Sequence, residues 1–273
     1  SLLTAIASWL QARSLGGTWL LRIDNLDRPR CIPGMDTEIL RQLDAHGLHW
    51  DEAPRYQSEH HAEYQAALER LIALGEVYAC TCTRAKLEQS ALPGPDGPVY
   101  HGHCRSRSVH CSERHALRLR VPQHILAVED GWQGPQQRDL ALEVGDFILR
   151  RSDGCIGYQL ACAVDEHAQG ITEVVRGADL LGSTFRQCLL MLRLGWTLPS
   201  YRHGPVLLDS EGRKLSKQNH APPLQTARAS ENLLACLQRL GQQPPTALLG
   251  ETPTAVLEWA RQHWRPERLS VAT

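Results

Sequence analysis

The sequence has no excess of charge of either sign: 29 Lys and Arg against 30 Asp and Glu leave a formal net charge of −1. That excludes the strongly basic surface that grips nucleic acid through phosphate alone, so any RNA contact must rest on local patches or on shape. No run of about 18 apolar residues occurs, so no membrane span is expected. No basic stretch leads into an apolar run and a small-residue cleavage site, which argues against secretion. The nine cysteines are odd in number and scattered over 273 residues. They do not form a disulfide framework, and they point to a reducing, cytoplasmic setting. Internal repeats and low-complexity segments are also missing. What is there, 42% hydrophobic and 22% charged residues, suits one large domain or two small ones with a sizeable core.

Periodicity supplies the elements. Leu2, Ile6, Trp9 and Leu10 sit at helical spacing, Gly16-Gly17 stops that helix, and 18–23 reads as a buried strand. A helix is expected over 36–46 with Ile39, Leu40 and Leu43 inward. Another is expected from Ser58 as N-cap to Leu74, with Tyr64, Leu68, Leu71 and Ile72 inward and Gly75 ending it. Helix and strand at this spacing suggest an α/β layer with a parallel sheet. The pattern breaks over 76–113, which carries four cysteines and reads as an inserted subdomain. Strands are expected at 117–121, 125–128, 147–150, 171–176 and 206–208, and helices at 184–194, 232–240 and 254–264.

Three constellations carry chemistry. Lys214-Leu215-Ser216-Lys217-Gln218 places two ammonium groups three residues apart on a small-residue loop, an arrangement that can stabilise a polyphosphate undergoing in-line displacement. Cys80-Thr81-Cys82 followed by Cys104 offers three soft thiolates for a tetrahedral Zn²⁺. Tyr100, His101, His103 and Cys111 are candidates for the fourth ligand, and coordination chemistry alone favours a cysteine or histidine. The zinc would be structural, fixing an insertion too short to bury its own core. Arg22-Ile-Asp24-Asn-Leu-Asp27 lies at a strand end, where open α/β sheets bind ligands. An Asp and Asn there would also serve as ordinary turn formers.

These residues resemble those of the class I aminoacyl-tRNA synthetases of the glutamyl type. The 214–218 loop resembles their Lys-Met-Ser-Lys-Ser signature, with Lys217 matching the second lysine, which contacts ATP phosphates. Arg22 to Asp27 resembles their Arg-Ile-Glu-Asp-x-Asp segment, so the resemblance implies that Asp24 receives the α-amino group of glutamate, on a shorter arm than the usual Glu. The block 157–167 with 171–180 is similar to the family's central block and implies that Tyr158 and Arg176 bind glutamate. A planar guanidinium suits a carboxylate. The run 78–84 with Tyr100 to Cys104 resembles the zinc insertion of the glutamyl-Q tRNA(Asp) synthetase family, which implies Cys80, Cys82, Tyr100 and Cys104 as ligands.

The resemblance implies an α/β fold: a Rossmann-like catalytic domain in halves 1–75 and 116–205, a small zinc-binding insertion at 76–115, and the lysine loop with a short helical region at 206–273. It implies a monomer that activates L-glutamate with ATP and Mg²⁺ without tRNA, then transfers it to the queuosine base in the anticodon loop of tRNA(Asp). About fifty residues follow the lysine loop, fewer than an anticodon domain of usual size needs. Ser1 lies at the edge of a helical pattern, so residues are expected ahead of it, including the family's His-x-Gly-His type ATP signature. Without that signature, adenylate formation is not expected. Two other readings are a remnant of a glutamyl-tRNA synthetase that charges tRNA(Glu), and a non-catalytic synthetase-like module that binds RNA or protein.

Overall fold

The computed structural model describes residues 2–83, 85–87, 91–107, 114–207 and 224–269. The first helix, α1 (Leu2–Ser14), buries Leu3, Ile6, Ala7 and Leu10 along one face, and the chain turns out of it at Gly16 in the left-handed region. Strand β1 is only Arg22–Ile23, paired parallel with β2 (Arg55–Tyr56). The expected strand over 18–23 is therefore mostly extended chain. It is still tied sideways, because the Asp51 and Arg55 amides donate to the Trp19 and Leu21 carbonyls.

Between these strands lies α2 (Met35–Ala45), and after them α3 (His61–Ala73). Tyr64, Leu68 and Leu71 of α3 are fully buried, but Ile39 and Ile72 stand nearly half exposed, against expectation. Each flanks an inward position, so spacing alone made the apolar face too wide. Ser58 does not cap α3. It lies in a short 3₁₀ turn, where its hydroxyl accepts from the Asn25 amide at 2.9 Å.

A three-stranded sheet joins β3 (Val77–Cys80), β4 (Ala116–Leu119) and β7 (Ile148–Arg150), all antiparallel. The chain between Cys80 and Ala116 thus leaves and re-enters at paired residues of adjacent strands. A four-stranded mixed sheet has the order β6–β5–β9–β8: β5 (Ile125–Asp130), β6 (Gly134–Asp139), β8 (Glu173–Gly177) and β9 (Ser200–Gly204). β5 and β6 form a hairpin, and β5–β9 and β8–β9 run parallel. Among the described residues the last strand is β9; no strand forms at 206–207 of the expected 206–208, and Leu208 lies outside the described residues. A single turn of π-helix spans Leu140–Val144.

Helix α4 (Tyr158–Ala168) and helix α5 (Leu181–Leu194) pack on each other and on α3, enclosing one core with Leu119, Leu149, Leu160, Phe185 and Tyr201. α5 ends at Gly195, whose left-handed backbone lets its amide and that of Trp196 take up the last carbonyls. A second core joins α1 to α6 (Ala229–Arg239) and α7 (Pro253–Gln262), with Trp19, Trp132 and Trp264 filling it. Thr252 caps α7 by accepting from the Ala255 amide, with Pro253 at the first helical position. Among the described residues, no helix is long and apolar enough to cross a membrane.

Candidate functional site

Asp24 follows β1, Tyr158 opens α4 and Arg176 lies in β8. Asp24 follows β1 and accepts from Arg22 Nε at 2.7 Å. The same guanidinium reaches the Cys162 thiol at 3.1 Å and lies 3.9 Å from Glu166, both one face along α4. Tyr158 opens α4, and Gly157 before it runs so close to the Ile148 carbonyl that a Cβ would stand 2.5 Å from that oxygen. Although Tyr158 is 38% exposed, desolvation raises its hydroxyl above the ordinary range, and the field of Cys162 and Asp24 adds to this while Arg176 opposes it. The charges of Asp24 and Arg176 thus both reach Tyr158, and Arg22 ties Asp24 to Cys162 of α4.

Arg176 is buried in β8. Its Nε donates to His203 Nε2 at 3.0 Å, Nη1 to Gln187 Oε1 at 2.7 Å and Nη2 to Thr184 Oγ1 at 2.8 Å. A guanidinium has five N–H donors, so one on each terminal nitrogen remains beyond these contacts. The neighbourhood is acidic underneath. Asp165 accepts from Arg55, Gln57 and Tyr64 at 2.7–2.8 Å. Glu166 is buried, and its Oε2 has no hydrogen-bond partner among the described residues. Burial raises its carboxyl, and Arg22 and Arg176 only partly offset that.

The three cysteines converge. The Sγ atoms of Cys80, Cys82 and Cys104 lie within 4.8 Å of one another, with Cys80 and Cys104 buried. Tyr100 presents its hydroxyl 3.5 Å from Cys80 Sγ and 3.4 Å from Cys82 Sγ, and accepts from the Cys104 amide at 3.1 Å. Burial alone would raise the Cys104 thiol, but hydrogen bonds from Tyr100, the Thr81 amide and the other thiols outweigh it and hold the thiol at about 7. Three converging thiols could hold one soft, tetrahedral metal ion, and the Tyr100 hydroxyl stands beside them. The His103 ring lies tilted by 41° against that of Tyr100 with centroids 5.6 Å apart, and Arg118 lies over the tyrosine face at 4.3 Å. Lys214 to Gln218 and Cys111 lie outside the described residues.

Asp146 holds this cluster against the sheet. It accepts from Tyr78 at 2.5 Å, from Arg105 at 2.5 and 2.7 Å, and from the Val121 amide at 2.8 Å, while its own amide donates to the Tyr100 carbonyl. Gly145, at positive φ, lets Tyr100 approach, since a Cβ there would lie 2.8 Å from the Tyr100 carbonyl oxygen. Between the cluster and α4 opens a cleft of about 510 Å³, lined among others by Tyr100, Arg118, Phe147, Arg151, Tyr158 and Arg186. Sequence reasoning gave no role to Arg22, Glu166, His203, Asp130 or Asp146. Arg22 and Glu166 fall inside the motif blocks at 22–27 and 165–167, which is the signal that could have found them. The other three stand among ordinary strand and turn residues.

The family model described as tRNA synthetases class I (E and Q), catalytic domain, matches residues 1–246. The chain is 45% identical over 270 residues to the glutamyl-Q tRNA(Asp) synthetase of Pseudomonas entomophila, covering 99% of this chain and 89% of that protein. It is 49% identical over 263 residues to the protein of that name from Chromobacterium violaceum, covering 95% and 88%. The solved glutamate tRNA ligase from Elizabethkingia meningosepticum, in complex with its amino acid, superposes with a TM-score of 0.78 at 22% identity. That match covers 99% of this chain and 62% of the other, a likeness of fold. The chain belongs to the glutamyl-Q tRNA(Asp) synthetase family of class I synthetases, and its mixed α/β architecture is that of their Rossmann-like catalytic domain.

Proposed function

We propose that the protein activates L-glutamate with ATP to glutamyl-adenylate, without tRNA, and transfers the glutamyl group to the queuosine base of tRNA(Asp). Full-span identity of 45–49% to relatives that bear that name carries the reading. The pocket supports it: a buried arginine with donors to spare stands near an acidic group, Asp24, and a tyrosine hydroxyl, which together suit an amino acid with a side-chain carboxylate. In this reading Arg176 and Tyr158 bind glutamate and Asp24 takes its ammonium group. Lys214 to Gln218 meet ATP and its Mg²⁺, and Lys217 stabilises the charge that develops on the phosphates. The 510 Å³ cleft beside Tyr158 gives room for the acceptor nucleoside, read by pocket shape as single-stranded RNA bases are. Zn²⁺ on Cys80, Cys82, Tyr100 and Cys104 would hold the insertion in place and take no part in the reaction.

The test uses protein expressed from its full reading frame, with labelled glutamate, ATP and three RNAs: queuosine-containing tRNA(Asp), the same tRNA lacking queuosine, and tRNA(Glu). Label on the first alone is the expected result. Label on tRNA(Glu) would instead make the protein a relative that charges that tRNA, and label on no RNA would favour a non-catalytic module.

A further inference from the structure

Three neighbouring strands each bring one polar residue to the same end of the four-stranded sheet. Asp130 closes β5, His203 lies in β9, and Arg176 lies in β8 as the register partner of His203. All three side chains are buried. Asp130 Oδ1 accepts from the amides of Trp132, Gln133 and His203 at 2.8–3.1 Å, and Oδ2 lies 2.5 Å from His203 Nδ1. On the other side of the ring, Nε2 faces Arg176 Nε at 3.0 Å and the Thr184 hydroxyl at 3.2 Å.

The proton inventory has one solution. Arginine only donates, so Nε2 must carry the lone pair and the ring proton sits on Nδ1, facing a carboxylate that only accepts. His203 and Thr184 together occupy Nε and Nη2 along one edge of the guanidinium. The remaining N–H groups, one on each terminal nitrogen, are thereby given a fixed direction.

We infer that His203 and Asp130 are positioning residues for substrate recognition: Asp130 fixes the tautomer of His203, and His203 fixes the rotation of the Arg176 guanidinium toward the carboxylate of glutamate. This inference rests on Arg176 being a glutamate-binding residue. Neither residue touches substrate. The carboxylate acts two bonds away through hydrogen bonds alone, as the aspartate behind a catalytic histidine does when it sets the imidazole tautomer. An asparagine at 130 would keep its carbonyl on the three backbone amides and turn its NH₂ to Nδ1. The ring proton would then move to Nε2 and oppose the Arg176 N–H.

The experiment measures KM for glutamate and for ATP by pyrophosphate exchange in Asp130→Asn, His203→Phe, His203→Gln, the Asp130→Asn/His203→Gln pair and Arg176→Ala, each below its melting temperature. Asp130→Asn and His203→Phe are expected to raise the glutamate KM about tenfold, the effect of leaving one buried donor unmatched, with the ATP KM unchanged. His203→Gln, whose amide oxygen can stand where Nε2 stood, should recover most of that loss, and Asp130→Asn should add little on top of it. Equal rises in both KM values, or a glutamine no better than phenylalanine, would overturn the relay. If His203→Phe does not fold, Asp130→Asn against the double variant decides the same question. An Arg176→Ala protein with normal glutamate KM would overturn the underlying role of Arg176. A raised KM there beside normal values at 130 and 203 would overturn the relay alone.

Discussion

Arg176 brings positive charge within reach of the buried Glu166, and it is held there by Gln187, Thr184 and His203. Arg176→Ala should weaken glutamate activation by about 2–5 kcal/mol, much of it from leaving the substrate carboxylate without its cation. Because three buried acceptors lose their donor at once, the melting temperature should fall as well. Glutamate-dependent exchange in the cold, beside a thermal melt, separates the two effects. Cys82 is the least buried of the three converging thiols, and burial raises its thiol while Cys104 is held low. Metal analysis of the purified protein should find about one zinc per chain, lost on Cys82→Ala. Zinc that survives that substitution would place the metal elsewhere.

At the level of elements, hydrophobic spacing was a good guide where one face of a helix is buried and the other wet. α1 and α5 follow their apolar residues, α3 does so except at Ile72, and glycines at 16, 75 and 195 end them at positive φ. It was a poor guide where polar groups build the sheet. β6, with the sequence Gly-Pro-Gln-Gln-Arg-Asp, has no apolar side; it forms because Asp130 accepts from the Trp132 and Gln133 amides and Gly134 takes positive φ, closing a hairpin. β9 likewise shows no aliphatic alternation, because its buried side chains are Tyr201 and His203. The same distinction holds in the site. The convergence of Cys80, Cys82 and Cys104 is legible in their spacing, and Tyr100 beside them in the resemblance, whereas Asp146, which ties their loop to β3 and β4, gives no signal. Asp146→Ala removes the acceptor of Tyr78, Arg105 and the Val121 amide. A loss on the order of 3 kcal/mol in denaturant unfolding is expected. Zinc should also pass faster to a chelator, although no proposed ligand is altered.

Across the whole molecule, two cores share the sheet between them: one on α3, α4 and α5, the other on α1 and the two C-terminal helices. Asp130 stands where they meet, with Trp132 beside it in the second core and Tyr201, its register partner, in the first. Burial alone would raise the Asp130 carboxyl, but His203 and the amides of Gln133, Trp132 and His203 outweigh it and hold it below the ordinary value. A carboxyl depressed on folding adds stability that is present above its unfolded pKa of about 4 and is lost as pH falls through the folded value. The unfolding free-energy gap between the natural protein and Asp130→Asn should therefore be widest near neutral pH and narrow below about pH 4; a gap that does not change with pH would mean the carboxylate charge contributes nothing. In the proposed function the protein activates glutamate without RNA. Glutamate-dependent ATP–pyrophosphate exchange on the protein, with all RNA removed, measures this step. Exchange with L-glutamate, and none with L-glutamine or L-aspartate, is the predicted result; exchange that begins only when tRNA(Glu) is added would contradict it.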